Sequence, residues 1–442
     1  MDRWISDWNV RAQSEQILHI RWLLNPGEPP RRNVGVVICS QQIAEIRDMP
    51  EGVADRAHPL ILIPPLVNAH THLEFSGLRE PLSPANPFPE WIGAVIRHRR
   101  QAASGGPGAM SGIAAGLAES AACGVRAIGE ITTGDISEYR FIRRLSVPPQ
   151  LVSFREIIGL NPDSVGEKLD AARLHLDNAA TAGVMPGLSP HAPYSVHPET
   201  FHAIVDLAIA RQAPVAMHLA ETQDEIELLA SGTGRFVDFL SALELWQPST
   251  FPGGSSPQVY LQRLAKVPRA IAVHGNFLNE RELAFVASNP QIAVVHCPRT
   301  FHYFGHDRRS VQDVPPRGQT WYRLLQSGAR VLLGTDSRAS SPDLSIWSEF
   351  QHVLRLCPEL TCAQLLPLMT TSAADALALN PESFRLTVGR AASGVLLNCS
   401  GPASEVPDQV VRQMSTQPVY MLADGLIISP ASAATPALAD RS

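Results

Sequence analysis

One rhythm repeats eight times through the middle of the chain: a short apolar run, then a stretch with helical spacing. The runs are Leu60–Ile63, Val125–Ile131, Leu151–Phe154, Val184–Leu188, Val215–Met217, Ala270–Val273, Ile292–Val295 and Val331–Leu333. Helical stretches such as Met110–Ala122, Pro198–Arg211, Glu221–Leu240 and Glu280–Ser288 fall between them. Strands that alternate with helices build parallel sheets from βα units. Eight such units predict a distorted (β/α)8 TIM barrel. Several runs lead straight into a reactive side chain: His70, Glu130, Arg155, His191, His218, His274, His296 and Asp336. Barrel enzymes keep their catalytic groups at the carboxyl ends of the strands, which is this pattern.

The two ends have another texture. Gln16–Leu24, Val34–Cys39 and Ile43–Ile46 read as short alternating strands, with turn-rich NPGEPPRRN after the first. Similar strands return in Gly394–Asn398 and Pro418–Ile428. The expected organisation is a small β-sandwich domain from residues 1–60 plus 386–442, around a barrel over 61–385. Segment 247–258 is expected as an exposed insertion, and the Ala/Pro-rich tail after Pro430 as frayed.

Composition narrows the function classes. The balance of 45% hydrophobic and 18% charged residues is that of a globular protein. A net charge of −6 offers no basic field for nucleic acid or an anionic membrane. No uncharged apolar run approaches ~20 residues, and the N-terminus lacks the apolar core of an export signal. Six scattered cysteines without a CxxC pair suit a reduced, cytoplasmic protein.

In Ile63–Gly77, IPPLVNAHTHLEFSG, an apolar run stops at two histidines one residue apart. His70 and His72 lie on one face of an extended segment, so both can reach one ion. Alone this pair is weak. His218, His274 and Asp336 end later runs, and together they offer imidazoles and a carboxylate to zinc or ferrous iron. Glu221, three residues past His218, can face the same cavity and move protons.

The motifs NAHTH, MHLAET, AVHGNF, VVHCP and LLGTDS, in this order, closely resemble the amidohydrolase superfamily. The resemblance spans about residues 16–428, within the branch of mononuclear aminohydrolases that deaminate purine-like and triazine rings. It implies that His70, His72, His218 and Asp336 bind one divalent metal, Zn²⁺ or Fe²⁺. His274 would hold the water, and Glu221 would shuttle protons, with Asp336 able to accept a second one. The implied reaction is attack of hydroxide on an amidine-like ring carbon, a tetrahedral intermediate, then loss of ammonia. Binuclear relatives bridge two metals with a lysine from the fourth strand. The only lysines here are Lys168 and Lys266, and neither lies on that run.

The run HLEFS resembles the aminodeoxyfutalosine deaminases of the alternative menaquinone pathway, as do SPHAPYSVH and HCPRTFHYFG. That likeness makes 6-amino-6-deoxyfutalosine the first substrate, a small molecule and the expected partner, with a homodimer left open. Rivals are deamination of adenosylhomocysteine, guanine or a pterin, and hydrolysis of a triazine. A non-catalytic binding barrel would lack ligands, yet every position is filled. By position Trp91 would line the pocket and His191 would hydrogen-bond the nucleoside. Arg155 could meet a carboxylate, for which its fork is suited. Each has a plainer reading: Trp91 as a core aromatic, His191 as a local cap, Arg155 as a partner of Glu130 or Glu156. Glu74 either contacts ribose or orients a metal-ligand histidine. His296 reads as structural, Cys297 as packing, and His302 and His306 stay open. Arg299 and Arg338 depart from the small residues common in relatives, in loops expected to face substrate.

Overall fold

The computed structural model describes residues 15–50, 58–103, 109–136, 145–307, 319–399 and 420–434, with Ile5, Trp8, Asn9, Tyr139, Ile142, Asp408, Val411 and Arg412 besides. Residues 430–434 form a short helix, and the rest of the tail read as frayed lies outside the described residues.

Four strands open the chain: β1 (Gln16–Leu23), β2 (Arg31–Cys39), β3 (Gln42–Asp48) and β4 (His58–Ile63). Eight follow in the barrel: β5 (Leu66–Thr71), β6 (Val125–Thr132), β7 (Gln150–Ile157), β8 (Met185–Pro190), β9 (Val215–Leu219), β10 (Ala270–His274), β11 (Ile292–His296) and β12 (Arg330–Leu333). Neighbours in chain order pair in parallel all the way round. A parallel bridge from Thr71 to Asp336 closes the last strand onto the first. Asn68 secures that seam, donating to Thr335 Oγ1 at 2.7 Å and accepting from Thr335 N at 3.1 Å. The distorted (β/α)8 barrel is therefore present.

Its first strand differs from the expectation. Leu60–Ile63 lies in β4, outside the barrel, and the following run Leu66–Thr71 supplies the first barrel strand. Pro64-Pro65 divides one apolar run into two strands, because proline cannot donate to a ladder. The expected helix Glu221–Leu240 is likewise two, Gln223–Ser231 and Arg235–Ala242. Gly232 at φ +67° ends the first in the left-handed conformation glycine tolerates.

The remaining strands, β13 (Gly394–Asn398), β14 (Tyr420–Ala423) and β15 (Leu426–Ile428), join β1–β4 in one seven-stranded sheet. Its order is β15-β14-β13-β4-β1-β2-β3, so β4 and β13 bring the two termini together in antiparallel register. Val36 and Ile43 from one end share a core with Leu422 and Ile427 from the other. Where a sandwich was expected from both termini, the strands form a single seven-stranded sheet with a shared core.

Inside the barrel, Val67, Val152, Phe154, Ala216, Val273 and Val295 form one cluster. The alternate residues Leu66, Leu151, Leu188 and Val215 pack outward with the helices. On β7 and β9 this parity decides which side chains reach the axis.

Candidate active site

Three strand ends converge. His70 and His72 come from β5 and its end, His218 from β9, and Asp336 follows β12. Candidate ligand atoms of the three histidines lie within 4.8 Å of one another, and all three side chains are buried. Nε2 of His72 and of His218 face each other at 3.3 Å, and Asp336 Oδ1 stands 3.7 Å from Nε2 of both His70 and His72. Bonds of ~2.1 Å to a tetrahedral ion put ligand atoms about 3.4 Å apart, so these spacings fit one ion.

The hydrogen bonds agree. His218 Nδ1 donates to the His191 carbonyl at 3.1 Å, which leaves its Nε2 as a lone pair. Among the described residues, buried His70 Nε2 has no hydrogen-bond partner. A buried lone pair without a partner is costly unless a cation takes it. Burial pulls the His72 and His218 imidazoles well below the ordinary range, which keeps them neutral as ligation requires. Asp336 Oδ2 accepts from Ser340 at 2.7 Å. The site is built for a divalent metal.

Beside it, Glu221 Oε1 lies 3.4 Å from His274 Nε2. Burial, then the Asp336 carboxylate, pushes the Glu221 carboxyl well above the usual range. Burial pulls His274 down to about 3, so its imidazole is neutral. Three residues here hold left-handed backbone without being glycine: Ala220 at φ +53°, His274 at +70° and Asp336 at +56°. Such conformations cost about 1–3 kcal/mol each and persist where packing enforces them. Each turns the chain sharply as it leaves its strand.

Above the site opens a half-enclosed cavity of about 240 Å³ with mostly apolar walls, among them Phe75, Phe88, Trp91, Leu160 and Tyr194. His72, His218, Glu221, His274 and Asp336 line it too. Trp91 is at once core and wall: it stacks on Phe88 at 5.5 Å and donates to the Ala339 carbonyl at 3.2 Å. His191 lines the cavity, with Nδ1 2.6 Å from Ser195 Oγ and Nε2 3.8 Å from Glu156 Oε1. Burial, then Arg99, lowers it to about 3.

Arg155 does not line this cavity. It donates to the Thr133 and Gly134 carbonyls and lines a neighbouring depression of about 230 Å³ with Lys168. Ile158 borders both spaces. The reason is parity: Val152, Phe154 and Glu156 share the inner face of β7, which puts Arg155 on the outer one. Glu156 takes the inner position, with Oε2 3.2 Å from Arg99. Arg99 also pairs with Glu74 at 2.8 Å and is the guanidinium that lines the cavity. Glu74 therefore meets the cavity through Arg99, and no hydrogen bond joins it to a metal-ligand histidine among the described residues. Glu130 braces that turn instead, accepting from Leu73 N at 3.0 Å and Tyr139 at 2.8 Å. Sequence reading missed Arg99 and Glu156. The signals were the i, i+4, i+8 row Trp91–Val95–Arg99 and the parity of β7.

The departures at Arg299 and Arg338 do not face the cavity. Arg299 pairs with Asp343 at 2.8 Å and Glu349 at 2.5 Å. Arg338 meets both Glu119 oxygens at 3.0 Å. His302 pairs with Asp307 at 2.6 Å, and His306 packs among Phe277, Phe301 and Phe304. His296 stacks on Trp321 at 5.2 Å, and among the described residues its buried Nδ1 has no hydrogen-bond partner. Cys297 is buried, as packing requires. Among the described residues no helix is long and apolar enough to cross a membrane.

A closed (β/α)8 barrel whose strand ends gather three imidazoles, a carboxylate and a buried Glu–His pair is a metal-dependent hydrolase. The profile of the Amidohydrolase family matches residues 61–427. The chain belongs to this family. The aminodeoxyfutalosine deaminase of Deinococcus radiodurans is 29% identical over 349 residues, covering 74% of this chain and 77% of that protein. The crystal structure of Helicobacter pylori aminofutalosine deaminase superposes with a TM-score of 0.72 at 19% identity, over 94% of this chain and 100% of that one. An adenosine deaminase from Xanthomonas campestris, solved with bound zinc, gives 0.71 at 22% identity over 97% and 95%. These two likenesses establish the shared fold.

Proposed function

We propose that the chain is an aminohydrolase that releases ammonia from an adenine-type nucleoside, with 6-amino-6-deoxyfutalosine of menaquinone biosynthesis as its substrate. The observation that carries this reading is the Glu221–His274 pair beside the His70, His72, His218 and Asp336 ligand atoms, at the floor of one apolar cavity. The likeness to the Deinococcus radiodurans deaminase supports the choice of ring and tail. One zinc ion per chain is the cofactor, and ferrous iron would suit the same four atoms. Strand β8 carries no lysine that could bridge a second ion.

The ion, when bound, supplies a Lewis acid that makes a water molecule acidic enough to attack near neutral pH. Glu221 takes a proton from that water and returns it to nitrogen, and its raised proton affinity suits the second half of the task. His274, neutral, donates to the oxygen that becomes the ring carbonyl. Asp336 accepts the second proton. The C–O bond forms first and the C–N bond breaks afterwards, so that the two protons of water end on the ring nitrogen and on ammonia. His191 and Trp91 hold the nucleoside, and Glu74 acts through Arg99. The apolar wall takes the body of the tail. Its carboxylate passes Ile158 to Arg155 and Lys168, which carries the expected role of Arg155 into the neighbouring depression.

The test is an ammonia-release screen of zinc-loaded protein on aminodeoxyfutalosine, adenosylhomocysteine, guanine, a pterin and an aminotriazine. Aminodeoxyfutalosine should have the highest kcat/KM. If it is inert while guanine or the pterin is fast, the substrate is wrong. No ammonia from any of them, after loading with zinc and with iron, would favour a binding barrel.

A further inference from the structure

Glu225 is completely buried in the first turn of the helix Gln223–Ser231, three residues past its N-cap Thr222. A carboxylate at that position ordinarily accepts from the N–H of the cap residue. This one reaches further back. Oε1 accepts from Ala220 N at 2.8 Å and Oε2 from Glu221 N at 3.0 Å. Ala220 stands at φ +53°, where a residue with a side chain does not rest unaided. The carbonyls of the same two residues are held as well. Asn276 Nδ2 donates to the Glu221 carbonyl at 3.1 Å, and Phe277 N to the Ala220 carbonyl at 3.0 Å.

We propose that Glu225 is the positioning residue of the proton shuttle: its two oxygens lock the backbone at Ala220 and Glu221, and so aim the Glu221 carboxyl at His274 and the cavity floor. This rests on the reading of Glu221 as the shuttle. Glutamine at 225 offers one acceptor and one donor group, so one backbone N–H loses its acceptor and confronts an NH₂. Aspartate keeps both acceptors but retracts them by one methylene.

The test compares the full-length, zinc-loaded protein and its variants on the 6-amino nucleoside and its 6-chloro analogue. Chloride leaves without a proton and ammonia needs one. Glu221→Gln is the control and should lose far more rate on the amine than on the chloride. Glu225→Gln should show the same split in weaker form: kcat on the amine falls about 10–100-fold, the range a misplacement of about 1 Å produces. On the chloride it should fall several-fold at most, with KM and zinc content unchanged. Equal losses on both substrates, or intact kcat with only a lower melting temperature, would make Glu225 a structural residue and overturn the proposal. A control without a split would sink the shuttle reading itself, which separates the two failures. Should Glu225→Gln not fold, Glu225→Asp is read by the same ratio, and a wild-type ratio there overturns the proposal.

Discussion

Replacing Arg99 with methionine tests whether one guanidinium holds the cavity wall by charge. Arg99 Nη2 sits 2.8 Å from Glu74 and 3.2 Å from Glu156, with the three side chains 28%, 10% and 3% exposed. Methionine keeps an apolar stem over the Phe75 ring and removes the cation. Two buried carboxylates are then left without a counter-ion. Breaking a buried pair costs about 3–5 kcal/mol, and the partial exposure of Arg99 places the loss near ~3 kcal/mol. Burial already raises the Glu74 carboxyl above its ordinary value, with Arg99 pulling it back, so the variant raises it further. A carboxyl with a raised folded pKa binds more protons folded than unfolded. Its destabilisation is absent below the unfolded value of about 4.3 and grows as pH rises through the folded value. The variant should therefore fall furthest behind the native protein at pH ~8 and recover much of the gap at pH ~5. Urea midpoints at the two pH values measure this. Adding Glu156→Gln should restore about half of the loss at the higher pH, because the two sites are coupled. A deficit that is the same at both pH values, and untouched by Glu156→Gln, would refute charge pairing as what holds this wall.

Three further outcomes follow from the site. Chelated protein should regain ammonia release with one equivalent of zinc, and a 1,000-fold excess over Kd should add about 4 kcal/mol of stability; a second equivalent needed for full rate would contradict the single-ion site. At Gly334 an added Cβ would come within 2.8 Å of Val295 Cγ1 and 3.0 Å of His70 Cβ. Gly334→Ala should thus release zinc to a chelator about 10-fold faster, as changes beside metal ligands do, and an unchanged rate would show that His70 is not crowded. Arg155→Gln combined with Lys168→Met should raise KM for the carboxylated nucleoside about 10–100-fold, the worth of charge-assisted hydrogen bonds of about 1.5–3 kcal/mol. Adenosine should be unaffected; an equal penalty on it would remove these residues from the tail subsite.

The convergence of His70, His72, His218 and Asp336 was legible because strand periodicity and strand-end position are local facts, and five motifs in order fixed which strands mattered. The first barrel strand was misplaced because LILIPPLV reads as one apolar run, and only hydrogen-bond pairing shows that Pro64-Pro65 divides two sheets. The exchange of Arg155 for Glu156 has a deeper cause. A barrel strand is buried on both faces, so Leu151, Ser153 and Ile157 look no more external than Val152 and Phe154. Apolar content could not say which parity faced the axis. Arg99 was hidden for the opposite reason. Its row with Trp91 and Val95 was visible, but an arginine on a helix ordinarily reads as the solvent face. What turns it inward is a pair of carboxylates on other elements, Glu74 being 25 residues away in sequence. A charge can be buried only where its partners are, and partners brought together by the barrel have no signature in any window of sequence. The charged part of the cavity wall is built from such partners, whereas the cluster at its floor is built from strand ends. That division explains why the strand-end cluster could be read before the structure and the Arg99 triad in the wall could not.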